Sequence, residues 1–243
     1  MTADERRPER FVALIDAALA AYAARWPLYI ALAAATLAAD LAIDALARFD
    51  AVVLLLTPAF VDGFTSALVS IDVAGRVREE PLATGELFRA ALLRWPVVAV
   101  VLVIVSLIEE PLQLAVFGNL DETGYGLLIL PGLAVLGVLG LPSVIASLDE
   151  GVPPLARPGN AVLRSLFIAA TWPNLGRLTL AGAMLAVVFM VQELAMRWLG
   201  AHGMATAQAW FWGNMPADAL FLAPFQAFFT LLYLDFVVRE KRR

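Results

Sequence analysis

Among the ionisable side chains within the long apolar stretches, where such groups are rare, three acids and one arginine stand out. Asp62 is near the middle of the stretch 51–72, Asp40 is in 27–47, Glu109 is in 96–117, and Arg177 is four residues into 173–198. An ionised acid at the centre of a bilayer costs about 2.5–3.5 kcal/mol on insertion scales, so such residues are functional-site hypotheses by default. The chemistry these four could do is passage of a proton or a cation. The alternative is structural. Asp62 then stays protonated and bonds a neighbouring backbone or hydroxyl group, while Asp40, Asp44, Glu109 and Glu110 face water near the outer surface. Asp40 and Glu109 each follow a tryptophan by 14 residues, about 21 Å along a helix. Both therefore belong to the outer half, at equivalent positions. Cysteine is absent and His202 is the single histidine. Disulfides, thiolate zinc sites, iron–sulfur clusters and multi-histidine metal sites are excluded. There is no Gly-rich phosphate loop, nucleophile elbow or metal-ligand cluster, so no enzyme activity, metal or cofactor is expected.

The elements that would position these residues follow from composition. The chain has 243 residues, 61% hydrophobic and 16% charged, with a formal net charge of -5 and a mean hydropathy of +0.80. Soluble domains carry about 25% charged residues, so an ordinary water-soluble enzyme and a disordered tail are both ruled out. The acidic balance offers no field for a phosphate backbone, and no nucleic-acid partner is expected. A membrane-crossing helix needs about 20 mostly apolar residues. Six stretches qualify: 27–47, 51–72, 96–117, 126–148, 173–198 and 216–237. Their apolar runs are continuous rather than alternating, which argues against transmembrane strands. The expected fold is all-α: one polytopic domain, 1–243, with six transmembrane helices. Fifteen of the seventeen cations fall before the first span, between the second and third, between the fourth and fifth or just inside the fifth, or after the last. Only Arg48 and Arg197 fall on the other side. The positive-inside rule then predicts both termini in the cytoplasm and the acidic segment 118–126 outside, in a bacterial inner membrane.

A local pattern recurs three times. An amphipathic stretch (11–25, 84–94, 160–171) leads to a Trp-Pro pair: Trp26-Pro27, Trp95-Pro96 and Trp172-Pro173. Proline suits the first turn of a helix, where its missing N–H costs nothing, and tryptophan suits the headgroup boundary. The amphipathic stretches are expected to lie in the cytoplasmic interface as short helices. The even-numbered spans close on Ser70-Ile71-Asp72, Ser147-Leu148-Asp149 and Tyr233-Leu234-Asp235. Asp72 precedes Arg76, and Asp235 precedes Arg239, by four residues, which places acid and cation on one helix face. Asp149 has Pro153 at that spacing instead. The chain thus reads as three helical hairpins, with repeats 11–74, 84–150 and 160–237. Pro58, Pro111, Pro131, Pro142 and Pro224 are expected to kink their spans. Trp210-Phe211-Trp212 is expected in the last outer loop as an aromatic anchor.

Two segments resemble a known family. Ala161-Val162-Leu163-Arg164-Ser165 with Trp172, and Thr230-Leu231-Leu232-Tyr233-Leu234-Asp235-Phe236-Val237-Val238-Arg239-Glu240, are similar to segments of the membrane domain attached to some bacterial glycerophosphoryl diester phosphodiesterases, and of related six-span bacterial proteins. The resemblance implies a six-helix integral membrane domain. It does not imply the phosphodiesterase, because a catalytic barrel needs about 250 further residues.

Three functions are open to such a chain. The leading expectation is a non-enzymatic scaffold, accessory or lipid-associated module whose cytoplasmic arginines meet anionic lipid and which could also serve another membrane protein. The second is a small-solute or lipid transporter using Asp62, Glu109 and Asp40, although the Pro-x-acid-x-x-cation signature of three-hairpin mitochondrial carriers is missing. The third is a lipid-modifying enzyme. A hydrated central vestibule reaching Asp62 would favour transport. A closed bundle with a lipid-filled groove beside the interfacial helices would favour the first. Spacing says nothing of oligomeric state.

Overall fold

The computed structural model describes residues 11–47, 51–117, 126–149 and 151–241. Among the described residues the chain is helical, without strands: α1 (Phe11–Ala24), α2 (Trp26–Ala47), α3 (Ala51–Val77), α4 (Thr84–Phe117), α5 (Gly126–Leu139), α6 (Leu141–Leu148), α7 (Arg157–Ala169), α8 (Trp172–Ala201) and α9 (Thr206–Lys241). Four segments are long and apolar enough to cross a membrane: Thr84–Glu109, Ile129–Leu148, Pro173–Ala201 and Leu220–Glu240. The helices Phe11–Ala24 and Trp26–Ala39 make a fifth if counted as one broken span, and they meet at 83°. Asp62, Asp72 and Arg76 interrupt the apolar run of α3.

Separate helices form on the amphipathic stretches of the first and third copies. The chain turns at Arg25, so α1 runs nearly perpendicular to α2, and α7 ends at Ala169 before α8 starts at Trp172. The second copy departs from the expectation. Residues 84–94 do not form a separate helix, because α4 runs unbroken through Trp95-Pro96. Leu87 and Ala91 are fully buried, and Phe88 packs on Phe64 of α3 with ring centroids 5.7 Å apart. Burial against α3 outweighs the break that Pro96 would otherwise favour.

Proline position decides the other departures. Of the expected kinks, Pro142 alone stands where one helix ends and another begins. It occupies the first turn of α6 after Gly140, and without an N–H it cannot continue the ladder of α5. Phe229 of α9 seats its ring against Gly140, where a Cβ would collide with it. Helices run through Pro131, Pro216 and Pro224. Trp210-Phe211-Trp212, expected in a loop, falls within α9, which starts ten residues before the predicted span.

The helices pack cyclically. α3, α6 and α9 touch one another at the centre, and each long outer helix fits between two of the inner chains: α2 against α3 and α9, α4 against α3 and α6, α8 against α9 and α5. Leu68, Leu141, Ile145, Ala227 and Leu232 fill the centre and are almost wholly buried. In lipid there is little hydrophobic drive between helices, so close backbone approach through small residues matters more. A Cβ on Gly137 would strike the Leu178 carbonyl, and one on Gly182 the Leu133 carbonyl. These two glycines draw α5 tightly onto α8. Gly63 similarly lets α3 approach α4, with Ala99 3.0 Å from where its Cβ would stand.

Candidate functional site: ion-pair nodes, a polar junction and an apolar groove

The acids that close the inner helices each anchor a polar node. Asp72, 1% exposed, accepts a hydrogen bond from Tyr29 Oη at 2.6 Å. It also pairs with Arg76 at 3.2 Å and with Arg25 at 3.4 Å. Arg25 further donates to the Leu82 carbonyl at 3.0 Å, so the residue at the α1–α2 corner is tied to α3 and to the loop after it. Asp235 is the counterpart in α9 and pairs with Arg177 of α8 and with Arg239 at 2.6 Å. The four-residue spacings of Asp72–Arg76 and Asp235–Arg239 thus form the expected pairs.

Asp149 lacks a cation four residues on and receives one from another element. Arg164 of α7 approaches it at 3.7 Å, and Asn160 Nδ2 donates to it at 3.1 Å. Arg94 of α4 reaches the Asp149 carbonyl at 3.4 Å. Arg164 also lies over the Tyr233 ring, 5.6 Å from its centroid. Arg164 and Tyr233 belong to the two segments that carry the family resemblance, so the fold brings those segments together.

The inner helices meet at a second polar site whose residues the sequence reading passed over as function. Gln226 Nε2 of α9 donates to Ser70 Oγ of α3 at 2.8 Å and reaches Ser143 Oγ of α6 at 3.2 Å. Thr230 Oγ1 lies 3.3 Å from Ser70 Oγ and donates to the Gln226 carbonyl at 2.7 Å. Ser147 donates to the Ser143 carbonyl at 2.7 Å. All five are at least nine-tenths buried. One signal could have found them: each inner helix carries two hydrogen-bonding side chains four residues apart, Ser66/Ser70, Ser143/Ser147 and Gln226/Thr230.

The four residues singled out for transport are not gathered into one site. Arg177 belongs to the Asp235 node. The antiparallel contacts Tyr29–Asp72 and Thr36–Thr65 (3.3 Å) set the register of α2 on α3, and one turn further on Asp40 comes level with Val61 and Asp62. The side chain of Asp40 lies outside the described residues. Glu109 follows Ala99, the neighbour of Gly63, by ten residues, about 15 Å along α4. Asp62 and Asp40 therefore share a depth. Glu109 lies well beyond them, and Arg177 lies at the opposite end.

The tryptophans of the repeat also diverge. Trp26 is 58% exposed, as an interface anchor would be. Trp95 is half-buried and packs on the flank of α3: its indole N–H donates to the Phe60 carbonyl, and its ring meets Phe60 and Phe64 edge-on. The side chain of Trp172 lies outside the described residues.

An apolar groove of about 230 Å³ separates α4 from α5. Ile104 and Ile108 form one wall, Val135 and Leu139 the other, with Pro142 and Leu166 at one end. Gly137 and Gly182 pull α5 toward α8, and Pro142 breaks its course, so α5 stands off from α4 and the groove stays open. The one hydroxyl lining it, on Ser165, donates to the Val162 carbonyl at 2.7 Å. Ile108, Val135 and Leu166 are 45%, 39% and 54% exposed, so the groove opens on the outside of the bundle. Among the described residues, no three His, Cys, Asp or Glu gather to hold a metal ion. Comparison of the chain with protein-family models, with curated proteins and with solved structures returned no match.

Proposed function

We propose that this chain is a six-crossing inner-membrane protein, built as three like-facing helical hairpins with both termini in the cytoplasm, and that it acts as a lipid-associated scaffold or accessory module. The six crossings are α2, α3, α4, α5 with α6, α8 and α9. α3 has 27 residues and rises about 40 Å, enough for a bilayer. The cyclic packing of inner and outer helices supports three hairpins. The cation bias supports the orientation.

One observation carries the functional reading: the inner helices close on one another at the polar junction, while an uncharged groove among the described residues opens on the flank. In hydrocarbon the occupant that fits such a groove is an acyl chain of a bilayer phospholipid. The arginines of the three nodes are held by aspartates, which among the described residues leaves the exposed Arg78 and Arg89 to meet anionic headgroups, at about 1 kcal/mol each. The resemblance to the membrane domain of the phosphodiesterases agrees with a non-catalytic role. It would suit docking to another membrane protein.

The test is native mass spectrometry of the full chain extracted from its membrane in mild detergent. The wild type is expected to retain one phospholipid that survives delipidating washes. Val138→Trp, or Ala134→Phe, fills the groove and should abolish retention in a protein that stays monodisperse. Asp62→Asn should leave retention unchanged. A wild type that carries no lipid, or variants that carry as much as the wild type, would overturn the reading.

A further inference from the structure

We propose that the three-helix junction binds one water molecule, held between Ser66 of α3 and Gln226 of α9. Ser66 is fully buried and lies one helical turn before Ser70, the α3 residue that bonds Gln226 and Thr230 of α9, so the helical period puts it on the same face. Its Oγ has no hydrogen-bond partner in the protein. Other helical hydroxyls of this chain satisfy themselves on their own helix: Ser147, Thr179 and Thr230 each donate to the carbonyl four residues back. Ser66 does not.

Hydrogen bookkeeping at the junction shows what the missing partner must be. Each hydroxyl has one hydrogen, and an amide has two. The Thr230 hydrogen goes to the Gln226 carbonyl at 2.7 Å, so its 3.3 Å contact with Ser70 uses the Ser70 hydrogen. The Ser143 hydrogen goes to Gln226 Oε1 at 3.3 Å, and the two Nε2 hydrogens go to Ser70 and Ser143. The Ser147 hydrogen goes to the Ser143 carbonyl. Every donor of the network is therefore engaged within it, and none remains for the Ser66 oxygen. Acceptor capacity does remain, since Gln226 Oε1 has a second lone pair. The partner of Ser66 must bring its own hydrogens, accept one, and be small enough for a close-packed centre. Water meets all three conditions, and a buried water needs two to four polar partners of this kind. Groups left unsatisfied in hydrocarbon are costly, which supplies the drive. The bound water would complete the lock among α3, α6 and α9. The inference stands apart from the lipid groove.

The experiment uses the full chain in lipid bilayers. Water-edited solid-state NMR should show magnetisation transfer from a slowly exchanging water to the Gln226 side-chain amide in the wild type, lost in Ser66→Ala. Ser66→Ala should also lower the apparent Tm by about 2–4 °C, the shift that follows from losing roughly one bridged hydrogen bond in a chain of this size. Gly200→Ala, in open space on α8, serves as the unaffected control for transfer. Absence of transfer in the wild type overturns the proposal. So does a Ser66→Ala variant whose Tm is unchanged or raised, because Ser66 would then be satisfied on its own helix or simply unsatisfied. A Tm that changes when sodium is exchanged for a large organic cation would assign the site to a cation and also overturn it.

Discussion

Replacing Asp72 by asparagine removes one charge and almost no volume, yet it should be among the most damaging changes at this end of the bundle. The carboxylate is 1% exposed and is faced by Arg25 at 3.4 Å, Arg76 at 3.2 Å and Tyr29 at 2.6 Å. Without it two guanidiniums confront each other across a neutral amide. Breaking a buried ion pair by removing one partner costs about 3–5 kcal/mol. The arginines keep 21% and 28% of their side-chain exposure, so some charge is screened and the lower bound, about 3 kcal/mol, applies. For a chain of this size that is a fall of about 6–12 °C in apparent Tm. Asp149→Asn is the internal comparison. Its cation is 3.7 Å away and 38% exposed, and the one side-chain oxygen of asparagine can still accept from either Asn160 or the Gly151 N–H, which bond different carboxylate oxygens of Asp149. Its cost should be about 1 kcal/mol or less. The assay is intrinsic tryptophan fluorescence on a thermal ramp at fixed scan rate in one detergent, using the six tryptophans of the chain. Adding Arg76→Gln to Asp72→Asn should recover part of the loss, since it removes one of the stranded cations. Equal losses for Asp72→Asn and Asp149→Asn, or no recovery in the double variant, would refute the reasoning.

Other outcomes follow from the same geometry. Gly182→Ala should push α5 off α8, because its Cβ meets the Leu133 carbonyl. Overpacking of this kind costs about 1–3 kcal/mol, read as a lowered apparent Tm, whereas Gly200→Ala should hold or raise it because Ala is the better helix former. The absence of native cysteine makes topology directly readable: Leu155→Cys, at a fully exposed loop position, and Asn119→Cys should label with an impermeant maleimide from opposite sides of the membrane. Labelling of both from one side would reject the proposed orientation.

Helix class, several of the apolar spans, the α1 and α7 stretches and the Asp–Arg pairs at four-residue spacing were legible in the residues alone. Each depends on a local period or on one segment's own hydropathy, and both are written along the chain. The Asp149 node was not legible, because its cation comes from α7 and its carbonyl contact from Arg94, 55 residues away. The spread of the four residues named for transport was not legible for a related reason. Intramembrane acids and Arg177 are equally conspicuous in a hydropathy reading, but depth along separate helices depends on inter-helix register, and α8 carries Arg177 to Asp235.

The sequence by itself determined that the chain is helical, apolar enough for lipid, and free of thiol and histidine-cluster chemistry, because composition and short-range spacing are sufficient for those conclusions. Tertiary structure alone decided that Pro142 separates two helices while Pro96 does not, that Trp95 packs on the flank of α3, and that Ser70, Ser143 and Gln226 share one junction. Each outcome is a competition between a local preference and what a neighbouring helix offers: buried contacts on α3 for residues 84–95, the Phe229 ring for Gly140, and hydrogen-bonding partners from three inner helices for otherwise unsatisfied polar groups.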